Sequence, residues 1–234
     1  MEFYEYRNAV IEFPNSPEAE SYRKLELNIR VFNLDNPIKI IQSTSATAQD
    51  GKTTTAINLA AVYAEKGKKV IILDFDLRRP KIHRAFHKAN DGGLYEFVIN
   101  DKDIHDLIVH DESGIDLLLT GHRLNYPHIV LQSKKITEMV NKLREEYDYI
   151  VIDTPPVLSV TDALVVSKYV DGVIYVAAYN QTKKDAAKQG LEQLRESKAN
   201  VIGGVLANID VRKTQGLYGY YYYSNYDTEA WSEW

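Results

Sequence analysis

The chain contains no cysteine. That excludes disulfides, thiolate nucleophiles and cysteine-ligated metal clusters, and it fits a reducing cytosol. It also lacks any apolar run near the ~20 residues that a membrane-spanning helix needs, so a place at a membrane would depend on something else holding it there. The opening MEFYEYRNAVIEF has neither the basic region nor the apolar stretch of a secretory signal. Basic excess is missing too. Twenty-eight Lys and Arg against 33 Asp and Glu give a formal charge of -5, which speaks against nonspecific nucleic-acid binding. The histidines lack the tight spacing of a zinc site; His83 and His87, four apart, read as a solvated helix face rather than a metal pair. No repeat and no linker divides the 234 residues, whose 44% apolar content suits one large domain with its own core.

What is present alternates between strand and helix signals. Ser16 as N-cap and Pro17 at the first helical position predict a helix to about Phe32. IKIIQS follows as a short buried strand, then a helix over 53–66 that Gly67 stops. KKVIILDFD and GIDLLL read as two further strands. A single helix from Pro127 to Glu146, its LREEYD end solvated, leads into YDYIVIDTPP, the clearest strand. DGVIYVAAY, a helix over 183–198 and VIGGVLANI complete the series. The pattern predicts an α/β fold with a mainly parallel sheet flanked by helices. The domain is expected over 1–207, with 1–15 as a loosely attached N-terminal segment and 208–234 as a flexible, tyrosine-rich tail.

Three short segments carry chemistry, each where a strand ends, the side on which open α/β sheets bind ligands. STSATAQDGKTTT places a loop before a helix, so the backbone N–H groups of Ala48, Gln49, Asp50, Gly51, Lys52, Thr53 and Thr54 can meet phosphate oxygens. Gly51 permits close approach, Lys52 can reach the β/γ-phosphates, and the Thr53 hydroxyl stands where magnesium is ligated. The pattern G-x-x-x-x-G-K-[ST] would require glycine where Ala46 stands. In VIILDFDLRRP, Asp74 and Asp76 lie two apart and share a side of an extended chain. Their repulsion calls for a cation or a proton between them. Arg78 and Arg79 add charge for a phosphate or a carboxylate partner. YIVIDTPP delivers Asp153 at a strand tip, the place of the acid that holds magnesium in P-loop enzymes. Together the segments predict a P-loop NTPase fold with a deviant Walker A loop, using ATP and Mg2+.

These residues resemble the bacterial tyrosine kinases of capsule and exopolysaccharide synthesis. Asp74, Asp76, Arg78 and Pro80 match the family's D-x-D-x-R-x-P, and Asp153 to Pro156 match its D-T-P-P. NYPHIVLQS is similar to its N-P-x-x-L-L-x-S, and VTDALVVSKYVDGV also falls within the likeness, which runs from about Ser16 to the end. The resemblance implies that Lys52, Asp74, Asp76 and Arg78 are catalytic and that Thr53, Asp76 and Asp153 hold the metal. It also places Asn208 near the adenine. Tyr218, Tyr220, Tyr221, Tyr222, Tyr223 and Tyr226 correspond to the family's autophosphorylated cluster. It further implies protein substrates, a membrane-embedded activator that regulates chain length, and a ring-shaped homo-oligomer, in a cytoplasmic protein peripheral to the inner face of the cell membrane. Two positions depart from the family. Ala48 stands where its loop has proline, and Glu26 replaces the last arginine of the helix motif E-x-x-R-x-x-R that Glu20 and Arg23 otherwise match. Two other readings stay open: a partitioning-type ATPase, which would carry lysine where Thr47 stands, and a scaffold that docks partners through its tyrosines.

Overall fold

The computed structural model describes residues 8–32 and 34–209. The six tail tyrosines expected as acceptors lie outside them. Seven strands form one sheet in the order β3-β4-β2-β5-β1-β6-β7. They are β1 (Ile40–Ser45), β2 (Val70–Asp74), β3 (Ile108–His110), β4 (Ile115–Leu118), β5 (Tyr149–Asp153), β6 (Gly172–Ala178) and β7 (Val201–Ala207). Every pairing is parallel except β3 with β4. Three residues of β3 are too few to show a period of two, so the sequence pattern misses this edge.

Neighbouring residues of each strand point to opposite faces. Ile41, Ile72, Val151 and Ile174 pack with α3 (Lys52–Glu65), while Ile40, Ile71, Ile150 and Ile152 pack with α7 (Lys134–Glu146). Both faces are covered, which is why β2 and β5 read as continuous apolar runs. Tyr63 of α3 stacks on Tyr149 of β5, ring centres 3.7 Å apart. Behind α3 lies α2 (Pro17–Phe32), begun by Ser16, whose hydroxyl accepts from Ala19 N at 3.1 Å. The loose attachment expected of residues 1–15 does not extend to α1 (Ala9–Glu12): Val10 is buried, and its N–H donates to Asn58 Oδ1 at 3.0 Å.

The long helix expected from Pro127 to Glu146 is two, α6 (Pro127–Gln132) and α7. Ser133 breaks it with extended backbone and caps α7 by accepting from Ile136 N. The LREEYD end is not a solvated terminus. Leu143 and Tyr147 are buried, and Arg144 grips Asp171 at 2.6 Å. Short helices α4 (Ile82–Ala85), α5 (Leu94–Ile99) and α8 (Asp162–Val166), with no clear periodicity of their own, lie in the connections between strands; α9 (Lys184–Glu196) covers β6. Because α4 ends at Ala85, His83 and His87 do not share a helix face. None of the described helices is long and apolar enough to cross a membrane.

Candidate active site

The loop between β1 and α3 curls under local constraints. Gly51 has φ +93°, a left-handed conformation that L side chains resist, and a Cβ there would sit 2.9 Å from Ala207 Cβ. Gln49 also takes positive φ. The buried Asp50 carboxylate accepts from Thr47 N at 2.8 Å, from the Thr47 hydroxyl at 3.0 Å and from Thr182 Oγ1 at 2.7 Å. Ala48 and Gln49 are exposed at the crest, and Gly51 and Thr54 are half-buried.

Beneath the loop the three segments converge. Lys52 Nζ lies 3.2 Å from Asp76 Oδ2, 3.4 Å from Asp153 Oδ1 and 3.3 Å from Thr53 Oγ1. Thr53 donates to Asp153 Oδ2 at 2.7 Å. Adjacency of β2, β5 and β1 brings together residues 101 positions apart. Asp74 sits in register with Asp153 but faces backbone donors: Oδ1 accepts from Asp76 N at 3.2 Å, and Oδ2 from Lys81 N and Ile82 N at 3.0 and 3.1 Å. The shared side expected of Asp74 and Asp76 therefore resolves into two environments, one turned to Lys52 and one to the backbone.

Burial, with the charges of Asp153 and Asp76, pushes the Asp74 carboxyl up to about 8. Asp153 is also raised by burial, though Lys52 pulls against it. Burial alone would lower Lys52, but Asp153 and Asp76 outweigh that and keep the ammonium charged. Two carboxylates, Asp76 and Asp153, around one lysine leave excess negative charge in a buried site. Carboxylate and hydroxyl oxygens in that balance are the donor set that magnesium takes, so Thr53, Asp76 and Asp153 fit it.

Arg78 meets a carboxylate partner, Asp162, with Nε to Oδ2 at 3.0 Å and Nη2 to Oδ1 at 3.3 Å. Asp162 is buried, and its side chain raises Arg78 further. Asn208 is exposed with φ 58°, one residue beyond the Ala207 that abuts Gly51. Sequence reasoning missed Asp162 and Thr182 as site residues. Nothing in their spacing to the loop reveals them, since the topology alone makes them neighbours.

A family model described as an AAA domain matches residues 38–210. The tyrosine-protein kinase YwqD of Bacillus subtilis (strain 168) is 34% identical over 209 residues, 89% of this chain and 88% of that protein. Tyrosine-protein kinase CpsD of Streptococcus pneumoniae is 31% identical, over 90% of this chain and 93% of that one. The chain belongs to the bacterial tyrosine kinases. The solved kinase domain of the Escherichia coli tyrosine kinase ETK superposes with a TM-score of 0.83, at 26% identity, over 89% of the kinase and 83% of that domain. In this kinase Thr47 occupies the position where a partitioning ATPase would place lysine, and its hydroxyl is tied back to Asp50. Glu26, in place of the family's arginine, is buried and pairs with Lys66 and with Arg30 at 3.3 Å. Arg23 is bound within the same chain, to Glu65 at 2.6 Å.

Proposed function

We propose that the kinase transfers the γ-phosphoryl group of ATP to tyrosines of its own C-terminal segment, Tyr218, Tyr220, Tyr221, Tyr222, Tyr223 and Tyr226, on a neighbouring copy, and to other proteins. Capsular or exopolysaccharide synthesis is the process it regulates, in concert with a membrane-embedded activator that keeps it at the inner face of the membrane. A ring-shaped homo-oligomer is the natural setting for transfer between copies, with Glu26 altering the contact. The observation that carries the chemistry is Lys52 Nζ held among Asp76, Asp153 and Thr53 at three adjacent strand ends.

Phosphoryl transfer requires positioned charge more than covalent chemistry. The loop residues Ala48 to Thr54 bind the phosphates through backbone N–H groups, and Asn208 borders the base. Lys52 stabilises the negative charge that builds on the transferred group. Magnesium, when bound, neutralises phosphate oxygens; Thr53, Asp76 and Asp153 would hold it. The acceptor phenol, with an ordinary pKa near 10, must lose its proton as the bond to phosphorus forms. A carboxylate of the Asp74 and Asp76 pair is the acceptor of that proton. Arg78, braced by Asp162, sets the loop that carries the pair.

A mixing assay tests the reading. A Lys52→Met chain with intact tyrosines is incubated with an active chain whose six tail tyrosines are phenylalanine, in Mg-ATP, and the C-terminal peptide is analysed by mass spectrometry. The expected result is phosphotyrosine on the Lys52→Met chain. If label is found only when a chain carries both an active site and its own tyrosines, transfer between copies is wrong.

A further inference from the structure

At its C-terminal end α2 turns large apolar side chains to solvent. Leu27 and Val31, four residues apart, share an exposed face of the helix, and Phe32 and Leu34 carry it into the loop before β1. Phe32 is 81% exposed and Leu34 67%. Single exposed apolar residues are ordinary, but a group of them at one helix end marks a surface that meets something.

Cations surround the group. The buried Glu26 pairs with Arg30 at 3.3 Å and with Lys66 just past α3, so two positive charges share one negative. Lys68 and Lys69 follow in the turn before β2, and Lys39 precedes β1. Lys68 is exposed and has no ion-pair partner among the described residues. Asp148 lies beside them, accepting from Lys69 N at 2.9 Å and donating its own N–H to the Lys69 carbonyl at 2.8 Å. The other nearby acids, Glu65 and Asp171, are each held by an arginine. These five cations thus outnumber Glu26, Asp35 and Asp148, in a chain whose formal charge is -5.

The sheet decides where this patch lies. Parallel strands start at one pole and end at the other. Lys52, Asp76 and Asp153 lie where strands end, whereas Phe32, Lys39 and Lys69 lie where they start. A surface pressed against the patch therefore leaves the nucleotide site open. A second copy applied by the same face would set its own cations against these, which disfavours a self-complementary contact.

We propose that this pole rests directly on an anionic phospholipid bilayer, with Phe32 and Leu34 entering the headgroup boundary and Lys66 and Lys68 meeting lipid phosphates. The contact is with lipid itself, so it goes beyond the activator proposed above and requires neither that partner nor phosphoryl transfer.

The test is sedimentation of the full-length protein, without ATP, with sucrose-loaded vesicles of phosphatidylcholine alone or of equal parts phosphatidylcholine and phosphatidylglycerol. Wild type should bind the anionic vesicles about tenfold more tightly than the neutral ones. Phe32→Ser should weaken that binding by about tenfold, as loss of an apolar ring from the boundary does, and Phe32→Leu should retain most of it. Lys68→Gln should weaken it by about fivefold, the share of one basic residue near an anionic surface. Equal binding to the two kinds of vesicle, or equal binding by wild type and Phe32→Ser, overturns the proposal. So does a dimer in vesicle-free buffer that Phe32→Ser turns into a monomer, since the patch then belongs to a second copy. A protein that binds lipid in this way and never phosphorylates tyrosine leaves the contact standing and removes only the transfer proposed above.

Discussion

Thr182 Oγ1 donates to Asp50 Oδ1 at 2.7 Å, joining the loop after β6 to the phosphate-binding loop across 132 residues of sequence. The same hydroxyl accepts from Ala178 N at 2.7 Å, and Gln181 Nε2 reaches the Gln49 carbonyl at 3.2 Å. A loop that would otherwise be free to rearrange is thus held ready before nucleotide arrives.

Thr182→Val keeps the shape and removes the hydroxyl. A hydrogen bond to a charged acceptor contributes about 1.5–3 kcal/mol, so KM for ATP should rise by roughly ten- to a hundredfold with a smaller change in kcat. Thr182→Ser should restore it. Steady-state kinetics of the three proteins decide, and equal KM values would detach Thr182 from the nucleotide site.

Lys52→Met should lower tyrosine phosphorylation by at least about a thousandfold, as loss of a charge aimed at the reacting group does. Asp74→Asn and Asp76→Asn should each lower transfer by roughly a hundredfold or more. Phosphotyrosine quantified on the tail reads all three. Normal turnover in both Asp variants would remove the pair from the mechanism.

Asp171 ties the start of β1 to α7. Burial would raise its pKa, but Arg144 and the N–H groups of Ile40 and Lys39 outweigh that and hold it low. A carboxylate whose folded pKa lies below its unfolded value, roughly 3.9, contributes stability above that value and loses it as pH falls through the folded pKa. Asp171→Asn should therefore lower the melting temperature at pH 7, and the gap to wild type should close below about pH 4. A gap that stays constant from pH 7 to 3 would contradict this.

Glu26→Arg would restore the family's helix motif while placing a cation beside Lys66 and Arg30. Reversal at a buried charge, with partners that are half exposed, should destabilise the fold by roughly 3 kcal/mol. A denaturant titration should show this, with Glu26→Gln less affected. An unaltered midpoint would mean that the helix turns to present residue 26 outward.

The parts of the fold legible in the sequence are those where one physical signal dominates. Buried parallel strands such as Val70–Asp74 and Tyr149–Asp153 announce themselves as apolar runs, and Ser16 with Pro17 starts α2 where capping chemistry says it should. The Lys52, Asp76 and Asp153 cluster was legible because Lys52 opens the helix after β1, Asp76 lies two residues past β2 and Asp153 closes β5. Ser133 was not, because its neighbours keep helical periodicity on both sides and only the backbone break reveals two helices. Asp162 and Thr182 escaped for another reason: their partners, Arg78 and Asp50, lie 84 and 132 residues away. Glu26 read as a charge reversal on a contact surface, whereas its carboxylate faces inward.

The strand order has a consequence for how the molecule comes into being. β1 leaves the ribosome early, yet its two neighbours are β5 and β6. Until Asp153 has emerged, the strand that supplies the phosphate loop has both edges unpaired and Lys52 has no Asp153 to face; the strand's second edge waits for residues near Ala178. Such long-range pairing is slow to nucleate, because loop closure precedes the contacts that reward it. The nascent chain therefore acquires its catalytic centre only after Asp153 has emerged, and a copy that ends before it is catalytically silent.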